Sequence, residues 1–138
     1  MMRPLSLALV PALVGALAAS GQAAPAGKTI RVTAVQVDHR ARTRNVFVEG
    51  DELYSGGARV GYDLLSCTVI SRTRISCVGL VSVGRDTLTA RFVTPVKAQF
   101  GTGTLDGGRG TNRGATGTFT WKNLDPQGKR TRLTLKFG

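Results

Sequence analysis

The reactive side chains in this 138-residue sequence are few. Two cysteines, Cys67 and Cys77, stand ten residues apart, and His39 is the single histidine. A glycine-dense, basic stretch, GGRGTNRGATG at 107–117, has the composition of a loop that cradles phosphate. A nucleotide phosphate loop needs a Lys followed by Ser or Thr, and a helix whose N-terminus meets the phosphates. Neither feature is present. The dinucleotide fingerprint G-x-G-x-x-G sits at a strand-to-helix turn. Here the spacing is Gly108-x-Gly110-x-x-x-Gly114, and a strand-like run follows. The glycines therefore serve backbone geometry, namely positive φ and close approach of strands. A helix starting at Ala115 would contradict that reading.

Zinc chemistry and Ser-His-Asp hydrolysis are both disfavoured. There is no CxxC, one histidine cannot complete a zinc site, and no nucleophile elbow accompanies His39. The segment between the cysteines, TVISRTRIS, is β-branched on both flanks and polar in the middle, which predicts a hairpin. Such a hairpin brings two Cα atoms within disulfide reach. In an exported chain an even cysteine count favours the Cys67–Cys77 disulfide over two free thiols.

Export itself is read from the N-terminus. Arg3 precedes an apolar run from Leu5 to Ala19, and a small-residue stretch follows, which is the layout of a secretory signal peptide. Pro11 and Gly15 interrupt a run already too short for a good membrane span. Cleavage after Ala23 gives residues 1–23 as signal peptide and 24–138 as one domain of about 115 residues, enough for a single core. The whole chain carries a formal charge of +11. Three arginines, Arg40, Arg42 and Arg44, follow His39 in a polar stretch. Nucleic-acid binding would want aromatics on the same surface, and these are scarce. A solvated face, or weak attraction to an anionic envelope surface, fits better.

From Lys28 onward short β-rich runs alternate with Gly, Asp, Asn and Pro turns, and nothing has helical periodicity. Strands are predicted at Thr29–Asp38, Asn45–Val48, Ala58–Ile70, Arg74–Val83, Asp86–Val93, near Val96–Thr104, at Ala115–Leu124 and at Thr131–Phe137. Turn signals include Ser55-Gly56-Gly57, Gly84-Arg85-Asp86, Asp106-Gly107-Gly108 and Asp125-Pro126-Gln127-Gly128. Leu133, Leu135 and Phe137 alternate with Arg132, Thr134 and Lys136; Phe119 and Trp121 alternate with threonines; Leu88, Ala90 and Phe92 alternate with Thr87, Thr89 and Arg91. One apolar face and one Thr/Arg/Lys face predict an all-β, antiparallel sandwich or barrel with an apolar interior.

Three stretches carry a resemblance. TLDGGRGTNRGATGTFTWKNL (104–124) resembles the glycine hairpin of the allene oxide cyclase and dirigent barrel superfamily. GDELYSGGARVG (50–61) resembles the segment that opens the barrel in plant allene oxide cyclases and in bacterial spirotetronate-forming Diels–Alderases. RVGYDLLSCTVI (59–70) is similar to a cyclase strand, with Cys67 at the position of that family's pocket cysteine. The resemblance spans roughly Gly50–Phe137 and implies a single antiparallel eight-stranded closed barrel with a hydrophobic lumen, used without metal or organic cofactor. It also implies a hydrophobic small-molecule partner and allows homo-oligomers. Relatives confine a reactive substrate in one folded conformer, which restricts stereochemistry and lowers the entropic barrier.

On that frame Trp121 matches a lumenal tryptophan of the bacterial enzymes, and Phe119 and Phe92 share its face. Cys67 faces the lumen with Asp63 and Leu65, but a disulfide to Cys77 would leave no thiol for catalysis. Asp51 stands where plant cyclases carry a polar pocket residue, and Leu53 follows it on the same face. Asp51 and Asp63 are each expected as solvated rim residues, because charges are seldom buried; buried, either would have a raised pKa and act as an acid. The family's glutamate is not identifiable. Two functions follow: a barrel that steers cyclisation or coupling of a hydrophobic molecule, or a non-catalytic binding or envelope protein on the same scaffold.

Overall fold

The computed structural model describes residues 27–110 and 113–137. The expected signal peptide at 1–23 lies outside the described residues, as do Thr111 and Asn112 of the glycine stretch. Eight strands follow in chain order: β1 Lys28–Ala41, β2 Val46–Ser55, β3 Ala58–Val69, β4 Arg74–Val83, β5 Asp86–Pro95, β6 Phe100–Arg109, β7 Thr116–Asn123 and β8 Arg130–Phe137. Each is antiparallel to the next, and β1 also pairs with β8, so the sheet closes into a barrel without free edges. No helix begins at Ala115, where β7 starts one residue later. Among the described residues no helix is long and apolar enough to cross a membrane.

Tight turns make one end of the barrel. Ser55 pairs with Ala58 across Gly56 (φ 59°) and Gly57 (φ 85°), the two left-handed residues that a type I′ hairpin requires. Gly84-Arg85 turns at the same end, where β6 ends at Arg109 and β7 begins at Thr116. Here the interior is solid. Val32, Leu53, Leu88, Leu105 and Phe137 are buried together, and three of them, Leu53, Leu88 and Leu105, are essentially inaccessible. Truncating one such leucine to alanine costs about 2–5 kcal/mol in well-packed cores. At the other end the connections 42–45, 70–73, 96–99 and 124–129 surround an opening.

The largest departure from the expected strands lies in β6. The sequence predicts a short strand near Val96–Thr104 and a turn at Asp106-Gly107-Gly108, but β6 runs from Phe100 through Arg109. Its inward positions near the opening are Gly101 and Gly103, and the rings of Trp121 and Phe119 lie against them. A Cβ on Gly101 would sit 2.7 Å from the Trp121 indole nitrogen. One on Gly103 would strike the Phe119 ring and come within 2.5 Å of the Arg91 carbonyl oxygen. Glycine is required there for space, so two large aromatics can lie flat against the wall. Likewise β2 extends through Glu49-Gly50-Asp51-Glu52, well beyond the expected Asn45–Val48.

Gly103→Ala is expected to lower unfolding free energy by about 1–3 kcal/mol through overpacking. Thr102→Val, on the outer face, should stay within about 0.5 kcal/mol of the parent. Urea unfolding followed by far-UV circular dichroism measures both, and equal losses would rule out the ring-against-glycine account.

Candidate functional site

The open half of the barrel holds a cavity of about 460 Å3. Its two walls differ in chemistry because closure in sequence order places β2 across the barrel from β6. One wall is aromatic. Phe92 on β5 meets Phe119 edge-on at 5.7 Å between centroids and Trp121 at 5.9 Å. Leu133 and Leu135 of β8 continue this apolar surface. Offset and edge-to-face aromatic contacts of this kind add about 0.5–1.5 kcal/mol beyond their burial, so the wall is rigid. The Trp121 Nε1–H is buried with no hydrogen-bond partner.

The facing wall is polar and acidic. Alternation along β2 points Phe47, Glu49, Asp51 and Leu53 inward, and the register opposes Asp51 to Asp63 of β3. In β1 Gln36 pairs with Asp51, but Asp38 pairs with Gly50, so Val37 is an extra, bulged residue. The bulge shifts the facing of the rest of β1. Gln36 lines the cavity and so does His39, which stacks on Phe47 at 5.2 Å at the mouth.

Asp51 and Asp63 are both buried, each with 7% of its surface accessible. The expectation of solvated rim aspartates is therefore corrected: the inward register of β2 and β3 puts them inside the wall. Burial pushes the Asp63 carboxyl up to about 9, reinforced by the charge of Asp51, by a hydrogen bond with Asp51 and by the charge of Glu49. Burial also raises Asp51, while the hydrogen bond from Asp63 opposes that rise. The shared hydrogen bond raises Asp63 and lowers Asp51, which puts the proton on Asp63. Asp63 is the neutral acid and donates, and Asp51 is the carboxylate and accepts. Two carboxyls sharing a proton is the usual resolution when like charges are forced together in a dry site. Asp63 Oδ1 is buried with no hydrogen-bond partner. Glu49 is raised by burial and by Asp51, against a hydrogen bond with Gln36 and the nearby His39.

Cys67 and Cys77 oppose one another directly on β3 and β4 and form a disulfide, S–S 2.02 Å, on the inner face of the cavity wall. No thiol is left at this position. For a loop this short the cross-link restrains the unfolded chain by about 3 kcal/mol.

Of the residues singled out from sequence, Trp121, Phe119, Phe92, Asp51, Asp63 and Leu65 all line this one cavity. Leu53 does not; it is fully buried in the plug beneath. The sequence reading missed Glu49, Gln36 and His39. Glu49-x-Asp51 carried the alternation signal, but the expected strand stopped at Val48. His39 was read as part of a polar loop, since a bulge has no signature in this stretch. The glycine stretch lies at the closed end, where Gly107 N–H donates to the Ala115 carbonyl at 2.6 Å and takes no part in the cavity. No group of three or more His, Cys, Asp and Glu side chains among the described residues has a geometry that could hold a metal ion.

No protein-family model matches the chain, and no curated protein sequence matches it significantly. Solved structures do match in fold. A pyocyanin demethylase superimposes with a TM-score of 0.67 at 18% identity, covering 80% of this chain and 100% of that one. AbnU, an exo-specific intermolecular Diels-Alderase, gives 0.70 at 11% identity over 82% of this chain and 98% of its own. The Diels-Alderase AbmU from Streptomyces koyangensis gives 0.66 at 15% identity over 99% and 84%. At these identities the likeness is one of fold: the chain has the barrel of the cyclase-type proteins its sequence resembles.

The carboxyl pair predicts an unusual pH response. A group whose folded pKa is raised binds its proton more tightly folded than unfolded. Asp63 therefore contributes stability that is whole below about pH 4, where the unfolded carboxyl is also protonated. That contribution declines as pH rises and is gone above about pH 9. Relative to wild type, Asp63→Asn should gain stability steadily from pH 5 to 9, approaching about 1.4 kcal/mol per pH unit at the steepest. Urea melts across that range measure it. A pH-independent difference between the two proteins would show that Asp63 is ionised in the folded state.

Proposed function

We propose that this barrel binds a hydrophobic small molecule carrying a polar oxygen in its lumen and steers that molecule's cyclisation. The observation that carries the proposal is the pairing of walls: an aromatic surface of Phe92, Phe119 and Trp121 faces a neutral carboxyl at Asp63 across one cavity. A volume of about 460 Å3 lies within the range of small-molecule sites. The aromatic wall takes the apolar body of the ligand and holds it in a folded conformer, which removes entropy from the barrier before reaction. When a ligand oxygen arrives, the one proton that Asp63 otherwise donates to Asp51 is redirected to it, and Asp51 stays beside it as the carboxylate. Polarising that oxygen draws electron density from the conjugated part of the ligand. An intramolecular ring closure then forms and breaks bonds within the ligand alone and consumes no oxidant or reductant.

The fold likeness to cycloaddition enzymes supports this reading. We also infer export, which the disulfide supports, since such bonds persist in oxidising compartments. A second reading, a non-catalytic carrier, is favoured by one feature: the lumenal Cys67 is tied to Cys77 and offers no nucleophile.

Trp121 is the chain's single tryptophan, so its emission reports the lumen directly. Titrating apolar ketones and linear polyenes against that emission should give a saturable change, with one ligand per barrel by native mass spectrometry. Phe92→Ala should weaken binding by roughly tenfold, the worth of one aromatic contact. Asp63→Leu, which removes the donor, should leave binding nearly intact and slow ring closure by about 10²–10³-fold. Unchanged turnover in Asp63→Leu would sink the donor role, and binding without any turnover would establish the carrier reading.

A further inference from the structure

Apart from Val37 on β1 and Val93 on β5, the exposed large hydrophobic side chains among the described residues fall into two groups. Tyr62, Leu64, Val78 and Leu80 lie on the outer wall of β3 and β4. The others cluster toward the open end. Ile70 and Leu124 stand on the β3–β4 and β7–β8 connections, Val96 on the β5–β6 connection, and Phe100, 72% exposed, at the first residue of β6. The connections are tied to each other, with Val96 N–H donating to the Thr73 carbonyl at 2.9 Å and Asn123 N–H to the Gln99 carbonyl at 2.8 Å. The rim is therefore a fixed platform that presents apolar groups outward.

Charge on the same rim is one-sided. Arg42 and Arg44 stand on the β1–β2 connection, Arg72 on β3–β4, Lys97 on β5–β6 and Lys129 on β7–β8, all exposed. Asp38 and Asp125 are the acidic residues at this end outside the lumen, and both are engaged. Asp38 pairs with Arg40 at 3.0 Å, and Asp125 accepts from the Lys129 and Arg130 backbone N–H groups at 2.9 and 2.8 Å. The far end is mixed in sign: Glu52 pairs with Arg59, Asp86 pairs with Lys28, and Asp106 is exposed near Arg85 and Arg109.

We propose that the open rim docks on an anionic lipid surface, mouth down. Apolar side chains set among lysines and arginines suit an interface whose headgroups are negative and whose acyl region lies just beneath. An extended polyanion such as nucleic acid would use the charges and leave Ile70, Phe100 and Leu124 in water; a second copy of this chain would bring like charges together. Docking rests on the rim alone. Its consequence, that a lipid-soluble ligand enters the lumen from the bilayer without crossing water, rests also on the binding reading above.

Vesicle flotation of the purified protein tests it, with phosphatidylcholine vesicles and mixed phosphatidylcholine–phosphatidylglycerol vesicles. The protein should float with the mixed vesicles, not with the neutral ones, and should release at high salt. The double variant Arg72→Glu/Lys97→Glu should weaken partitioning by at least about 25-fold, since loss of each basic residue near such a surface alone is worth about fivefold. Phe100→Ser should also weaken it. Arg85→Glu/Arg113→Glu carries the same net charge at the closed end and should stay close to wild type. Circular dichroism confirms each fold, and Trp121 titration with an apolar ketone in free solution reads the lumen independently. Equal losses in the two double variants would overturn the proposal, as would failure to float, a DNA duplex displacing the protein from mixed vesicles, or self-association that Phe100→Ser abolishes.

Discussion

A sheet that closes on itself has one interior, and every second side chain must enter it. Whether that interior is a core or a container depends on the sizes of those inward residues, strand by strand. Here the two ends differ. Toward the tight turns the inward set is Val32, Leu53, Leu88, Leu105 and Phe137, and the space is filled. Toward the long connections the set includes Ala34, Gly79, Ala90, Gly101 and Gly103, and a cavity remains. The plug supplies hydrophobic stabilisation that the hollow half does not. A cavity in a chain this small is tolerated because closure satisfies all eight strands' ladders and because a disulfide crosses the wall of the hollow half.

The hollow half is also where the acids are, and the two facts are connected. Carboxyls in a filled apolar core would have to ionise at great cost or be excluded by selection. Beside a cavity they are dry enough to shift and open enough to meet a ligand. Asp63 and Asp51 resolve their proximity by holding a single proton between them. The aromatic wall opposite offers no cation that would stabilise a second ionisation. Shape on one side and charge on the other thus keep each other in place.

Much of this was legible beforehand. The period-two alternation in 86–93, 116–123 and 130–137 announced the barrel, and the cysteine spacing announced its cross-link, because both signals are local. Three features were not. The Glu49-Gly50-Asp51-Glu52 run lies beyond the expected strand end at Val48 and is strand because closure buries its inner face. Nothing local marks Gly101 and Gly103 as inward positions, since the partners that need their space, Phe119 and Trp121, are on another strand. The facing of His39 depends on a bulge that the β1–β2 register forms and that no residue type at 36–38 declares. Each miss is a non-local reason for a local choice.

That bulge has a wider consequence. Val37 is an inserted residue in the sense of the ladder, and it alone decides which half of the following segment looks inward. Were Val37 paired in the ladder instead of bulged, Asp38 and Arg40 would point into the mouth and His39 would leave it. The bulge thus sets an imidazole rather than an ion pair at the entrance, without touching the plug, the disulfide or the aromatic wall. The barrel can diversify what it admits through the presence and placing of this bulge in β1, a change confined to the mouth and clear of the filled plug.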